Sequence, residues 1–313
     1  MTMMEQYGAI TKFDGISEYN ARKNVDFMVD VFKIRDFMFY DCFYNYSQPL
    51  LPGCHEWETK TSQLIRYSHS PHSAAATVTL PPQHKINLRL VNVYIDQIRR
   101  RGGRSWLYVQ AIAAEEPHLP GHQTIPHCHC INNHSLFQCY LPNAQWARRM
   151  CDLWIPFALY MKFDGIHWDQ LGPCNGVFGD GSIFHKFLRT CHPILKHHGL
   201  LQTFNFVDSF GWDKSLITDG VLEFPYWEVW TLPSCEDYFF SEMATLPETK
   251  KGVFVCYPYG GHNPTDYTPW ELVHARFNKC REHGCKYLMF ADGNNIIKTE
   301  YFVNTEPFIA YNI

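Results

Sequence analysis

Residues 163–172 read Phe163-Asp164-Gly165-Ile166-His167-Trp168-Asp169-Gln170-Leu171-Gly172. A helical stretch from Ser182 to His197 follows, and then the apolar run Leu200 to Phe206. The first run is short, apolar and ends in a carboxylate, which suits a buried strand. With the helix and the second run it makes a strand–helix–strand unit, the building block of a parallel sheet.

The same unit recurs in both directions. Upstream, a helix is expected over Ser17 to Phe32, with Val25, Phe27, Met28, Val31 and Phe32 on its inner face. A strand Asp36-Phe37-Met38-Phe39-Tyr40-Asp41 comes next. Leu88 to Arg100 reads as a helix stopped by Gly102-Gly103, and Ser105 to Ile112 as a strand. Leu136 to Leu141 is a weaker strand, and Asn143 is placed to cap a helix Ala144 to Leu159. Downstream, strands are expected over Val221 to Glu228, Gly252 to Tyr257 and Lys286 to Ala291. Helices are expected over Cys235 to Thr245 and from Pro269 to His283, where Gly284 ends the run.

About eight strands alternating with helices over roughly 250 residues predict an α/β fold, a single-domain (β/α)8 TIM barrel. Residues 1–35 are expected to form an N-terminal helix leading into a barrel over 36–313. Two long loops interrupt it, a polar one at 45–84 and a His/Cys-rich one at 114–134. An open doubly wound sheet would carry a phosphate-binding glycine loop after an early strand. Gly176-Val177-Phe178-Gly179-Asp180-Gly181 lacks that spacing.

Composition narrows the function. The formal net charge is −4 over 313 residues, and the one basic cluster, Arg99 to Arg101 with Arg104, reads as a helix end. This argues against a nucleic-acid partner. No apolar stretch approaches the roughly 20 residues that span a bilayer, so no membrane partner is expected. Met1 to Gln6 has neither a basic nor an apolar leader region, and the 12 cysteines show no framework spacing. A cytoplasmic or otherwise reducing compartment with free thiols is therefore expected. Oligomeric state is left open.

In a barrel the carboxyl ends of the strands form the active face. Those ends hold Tyr40 and Asp41, Gln110, His167 to Gln170, Asn205 and Asp208, Tyr226 to Glu228 with Trp230, Tyr257 and Tyr259, and Asp292, Asn294 and Asn295. Carboxylates, amides and aromatic rings dominate and cations are scarce. A neutral polyol such as a sugar fits better than a phosphorylated ligand. Cleaving a glycosidic bond takes two carboxyl groups, one to protonate the leaving oxygen and one to attack carbon or activate water. Asp169 lies on the same strand face as His167 and is one candidate, although an Asp here could equally cap the next helix. Glu228, between Trp227 and Trp230, is the other, although it could be a surface glutamate beside core aromatics.

These segments together resemble glycoside hydrolase family 66, the dextranases and cycloisomaltooligosaccharide glucanotransferases. The resemblance rests on Phe163-Asp164-Gly165 followed by Asp169-Gln170-Leu171-Gly172, and on Tyr226-Trp227-Glu228-Val229-Trp230. Phe39-Tyr40-Asp41 and Asn143-Ala144-Gln145-Trp146 add to it. The resemblance implies a (β/α)8 barrel and a retaining hydrolysis or transfer on an oligo- or polysaccharide, an α-linked, dextran-like glucan. Asp169 would be the nucleophile, at the fourth strand, and Glu228 the acid/base, at the sixth. Asp41, His167, Asn205 and Asp292 would then hold ring hydroxyls, and Trp168, Tyr226, Trp227 and Trp230 would supply stacking faces. Tyr40, Gln110, Gln170 and Asn294 complete the expected substrate contacts. No cofactor and no metal are expected.

Two rival readings remain. His118, His122, His127, Cys128, His129, Cys130, His134 and Cys139 could hold a metal, as in the amidohydrolase barrels, but no His-x-His pair ends the first strand. A barrel that binds sugar without turning it over is the other. A serine hydrolase is disfavoured because no Gly-x-Ser-x-Gly elbow is present.

Overall fold

The computed structural model describes residues 5–10, 13, 15–40, 42–50, 52–59, 84–114, 119–125, 138–170, 172, 176, 178–229, 234–255 and 270–291. In chain order the elements are β1 (Gln6–Ile10), α1 (Glu18–Phe32), β2 (Ile34–Phe39), β3 (Glu56–Thr59), β4 (His84–Asn87), α2 (Leu88–Arg100) and β5 (Arg104–Gln110). Then come β6 (Ala113–Ala114), β7 (Gln138–Cys139), α3 (Ala144–Met161), β8 (Gly165–Asp169), α4 (Ser182–His197), β9 (Leu201–Asn205) and α5 (Ser215–Thr218). The last are β10 (Pro225–Glu228), α6 (Ser234–Ala244), β11 (Val253–Val255), α7 (Trp270–Glu282) and β12 (Lys286–Ala291).

Eight of the strands close into a barrel in the order β1-β2-β5-β8-β9-β10-β11-β12, with β12 returning to β1 and the paired strands parallel. Helices surround it, as expected for a (β/α)8 barrel. Their starts follow local chemistry. Ser17 Oγ accepts from the Asn20 N–H at 3.2 Å, and Asn143 Oδ1 accepts from the Trp146 N–H at 2.9 Å, the cap expected from sequence. Among the described residues no helix is long and apolar enough to cross a membrane.

Two cores result from strand alternation. Outward-facing side chains such as Phe37, Leu107, Trp168, Phe204 and Trp227 pack against the helices. Inward-facing ones, among them Tyr7, Met38, Trp106, Tyr108 and Tyr226, fill the barrel. Gly165 is required by the inner packing. A Cβ there would stand 2.5 Å from the Trp106 ring and 2.7 Å from the Leu201 carbonyl oxygen.

The strand assignments differ from expectation in an instructive way. The barrel opens with Gln6–Ile10, inside the segment expected to be only a helical lead-in. Its Gly8 and polar Gln6 hide the strand in sequence. It is held from both sides by β2 and β12, and Gln6 Oε1 accepts from the Tyr287 N–H at 2.8 Å. Conversely, the weak strand expected at 136–141 contributes, among the described residues, Gln138–Cys139, a short antiparallel partner of Ala113–Ala114 outside the barrel. One strand is gained and one lost, so β8 and β10 remain the fourth and sixth barrel strands. The polar stretch 45–84 contains β3, paired antiparallel with β4, while 60–83 lies outside the described residues.

Candidate active site

Asp169 and Glu228 are the last residues of β8 and β10, on the carboxyl face of the barrel, with β9 between them. Both side chains face the barrel axis and are nearly buried, at 5% and 6% exposure. Asn205, the last residue of β9, joins them. Its Nδ2 donates to Asp169 Oδ1 and to Glu228 Oε2, each at 2.7 Å, and its Oδ1 accepts from the Glu228 N–H at 3.3 Å. Two carboxylate oxygens that share one nitrogen lie within twice that distance of each other.

The other oxygen of Asp169 is held from β5. Oδ2 accepts from the Tyr108 hydroxyl and from Gln110 Nε2, the latter at 3.0 Å. The β5–β8 register sets this up, because Gln110 lies directly opposite Asp169, and Tyr108 lies one pleat below it, opposite His167. Tyr108 is stacked on its upper side by Tyr40, with ring centroids 4.2 Å apart, and faces His167 at 5.8 Å. His167 has no exposed surface. Its Nδ1 pairs with Thr203 Oγ1 at 2.9 Å, its Nε2 has no partner among the described residues, and burial pushes its ionisation down to about 3. The ring is therefore neutral near pH 7. Tyr226 packs edge-on against His167 at 4.6 Å. Burial pushes its phenol up, and the neighbouring Glu228 and Asp169 carboxylates add to the effect.

Several expected substrate contacts need correction. Trp168 and Trp227 point outward, because each is one residue out of phase with the inward-facing acid beside it. Trp168 Nε1 donates to Gln202 at 3.1 Å and its ring packs on Phe187. Trp227 packs among Trp212, Tyr238 and Phe239. Neither can present a face to a ligand on the barrel axis. Gln170 accepts the Gly172 N–H at 2.8 Å and donates to the Phe210 carbonyl, so it braces the loop after β8. Gln110, His167 and Tyr226 are fully or almost fully buried: Gln110 stands beside Asp169 and bonds it, and His167 and Tyr226 lie one pleat below the acids rather than at a rim. Tyr40 is half-buried at the edge and remains available as a contact. Asp41, Trp230, Asp292 and Asn294 lie outside the described residues, as do Tyr257, Tyr259 and Asn295.

Tyr108 went unrecognised in the sequence. Its signal was the period of two from Gln110, which puts both on one strand face. Among the described residues no group of three His, Cys, Asp or Glu side chains is placed to hold a metal. Of the proposed ligands, His122 packs edge-on to Tyr140 and Trp146, and Cys139 is buried in the short β6–β7 pair. His118, His127, Cys128, His129, Cys130 and His134 lie outside the described residues.

No curated protein matches the chain in sequence. Among solved structures, a Paenibacillus sp. cycloisomaltooligosaccharide glucanotransferase, complexed with cycloisomaltoheptaose, superposes with a TM-score of 0.61 at 19% identity. The match covers 82% of this chain but 39% of that one, so the chain corresponds to well under half of that enzyme. An α-galactosidase from Thermus thermophilus gives a TM-score of 0.51 at 12% identity, covering 99% of this chain and 62% of the other. An α-amylase from Lactobacillus plantarum gives 0.52 at 9% identity, covering 91% and 70%. These likenesses establish the barrel fold. The model of glycosyl hydrolase family 66 matches residues 3–251, a span that takes in both acids and six of the eight barrel strands, β11 and β12 falling outside. The chain therefore belongs to glycosyl hydrolase family 66.

Proposed function

We propose that this chain is a retaining glycosidase or glucanotransferase acting on an α-linked glucan of the dextran type, with Asp169 as nucleophile and Glu228 as acid/base. The observation that carries the reading is the single Asn205 amide shared by both acids at 2.7 Å. Retaining enzymes hold their carboxyl groups about 5–5.5 Å apart, whereas inverting enzymes leave about 6.5–9.5 Å for a water. Twice 2.7 Å bounds the nearest oxygens here, which supports direct attack.

In the first step Glu228 donates its proton to the glycosidic oxygen while Asp169 attacks the anomeric carbon. The C–O bond to the leaving sugar breaks and a glycosyl ester of Asp169 forms. Glu228, now ionised, takes a proton from water or from an incoming sugar hydroxyl. That oxygen attacks the anomeric carbon and Asp169 is released as carboxylate. Two acids this close share one proton more readily than they carry two charges, which suits a cycle needing one acid and one base. Water as acceptor gives hydrolysis, and a sugar hydroxyl gives transfer.

The test uses dextran and isomalto-oligosaccharides, the linkage class of the ligand in the Paenibacillus structure. The anomer released first is read by proton NMR. The expected product is the α-anomer, and a 5-fluoro-α-glucosyl fluoride should leave a mass adduct on the peptide containing Asp169. Asp169→Asn should lose at least about 10³-fold in kcat, as expected for removing a group that forms the covalent bond. Initial release of the β-anomer, or full activity of Asp169→Asn, would overturn the proposal.

A further inference from the structure

The nucleophile's two oxygens are not equivalent. Oδ2 receives the Tyr108 hydroxyl and the Gln110 amide, both from β5. Oδ1 faces the other way, toward Asn205 and, through the same amide, Glu228. Tyr108 is 1% exposed, and its ring is held between Tyr40 and His167, so the hydroxyl cannot swing away from the carboxylate. We propose that Tyr108 is the positioning residue of the nucleophile: it anchors Asp169 by Oδ2 and thereby makes Oδ1 the atom that bonds to the sugar. This rests on the reading of Asp169 as nucleophile given above.

The chemistry favours that division. An ester formed through Oδ1 leaves Oδ2 as its carbonyl oxygen, which can keep accepting both hydrogen bonds. An ester through Oδ2 would cost both of them. When the ester breaks, the electron pair of the C–Oδ1 bond returns to the carboxylate, and negative charge grows on Oδ2, where the Tyr108 O–H and Gln110 N–H already point. Tyr108 should therefore assist breakdown of the ester more than its formation, since a donor that stabilises a carboxylate makes it a better leaving group and a weaker nucleophile.

Tyr108→Phe removes the hydroxyl and keeps the ring. Carbon-13 NMR of aspartate-labelled protein, with the Asp169 carboxyl resonance identified by its loss in Asp169→Asn, should show titration moved to higher pH in Tyr108→Phe. Replacement of Tyr108 by 3-fluorotyrosine, a stronger donor, should move it the other way. On a chromogenic isomaltosyl glycoside, Tyr108→Phe should lower kcat by about 10- to 100-fold, the scale of one hydrogen bond to a charged group. KM should fall with it, because the ester accumulates, and a burst of chromophore should become visible. An Asp169 titration unmoved in both variants would overturn the assignment of Tyr108, whether or not the glycoside is turned over. If Tyr108→Phe does not fold, the 3-fluorotyrosine protein alone decides by the direction of its shift. An active Asp169→Asn variant would instead bring down the underlying assignment of the nucleophile.

Discussion

His167 stands one pleat below Asp169 on the same strand, and its burial has a cost that depends on pH. In the unfolded chain its imidazole titrates near the ordinary value of 6.5, whereas in the fold burial holds it at about 3. Between those values the unfolded chain binds more protons than the folded one. Stability is thus full above pH 6.5 and declines as pH falls toward 3, by up to about 1.4 kcal/mol per pH unit. Calorimetry should show the melting temperature of the wild type dropping as pH falls below 6.5, with His167→Phe flattening that slope. An identical slope in the variant would mean that other groups carry it. The carboxylates held low in the fold, Asp36 and Glu223 among them, start from 3.8 and 4.5 and act mainly at the acidic end. At this scale the sequence disclosed the acids themselves, because each ends an apolar run at the carboxyl face. It did not disclose whether a neighbouring polar group would touch sugar or touch an acid. His167 and Asn205 were expected to hold hydroxyls and Gln110 to contact substrate, yet Gln110 and Asn205 bond the carboxylates and His167 bonds Thr203. Partners on adjacent strands depend on register, which a single strand's sequence does not carry.

Strand alternation decides what each element offers to the site. Tyr226 and Glu228 face inward on β10, so Trp227 must face out, and its ring completes the layer between barrel and helices. The same rule turns Trp168 out on β8. That outcome was legible from the period of two, and only the attraction of tryptophan as a sugar platform obscured it. Trp227→Leu should lower unfolding stability by about 2–4 kcal/mol in urea titrations, on the scale of large-to-small core changes, and leave KM within about twofold. A large rise in KM with unchanged stability would show the ring facing the ligand. Gly165 carries the complementary constraint from the inside. Its place under the Trp106 ring leaves no room for a methyl group, and Gly165→Ala should cost about 1–3 kcal/mol by overpacking. Shortening Trp106 to Leu in the same chain should recover part of that loss, and no recovery would place the strain elsewhere. The strand β1 was the least legible element. Five residues with a central glycine show no period of their own, and its pairing with β2 and β12 is what defines it.

The barrel as a whole divides its tasks between its two ends. At the carboxyl end sit Asp169, Asn205 and Glu228. At the amino end Asp36, wholly buried on β2, accepts from Arg104 at 2.8 and 3.2 Å, from the Trp106 indole at 2.9 Å and from Lys286. Arg104 also reaches Glu223 at 2.8 Å, and Glu223 pairs with Lys250 at 3.1 Å. The cluster thus ties β2, β5 and β12 to the segments entering β10 and β11, and the Asp36–Lys286 pair links residues 250 positions apart at the seam where the sheet closes. Alternation of strands and helices made the barrel legible in sequence, but no local signal marks an ion pair between residues 250 positions apart. Burial pushes the Asp36 carboxyl up, yet Lys286 and Arg104 outweigh it and hold it below the ordinary 3.8. Its folded value lies under its unfolded one, so its contribution is present above pH 3.8 and is lost as pH falls through the folded value. Asp36→Asn leaves the half-buried Lys286 ammonium and Arg104 guanidinium facing a neutral amide, and should cost about 3 kcal/mol, the low end of the range for breaking one partner of a buried pair. Urea unfolding at pH 7 measures that cost. Because Asp36 is at the opposite end from the acids, folded Asp36→Asn protein should keep the kcat/KM of the wild type and the pH dependence of that activity, and a shifted pH profile would mean that the two ends are electrostatically coupled through the barrel interior.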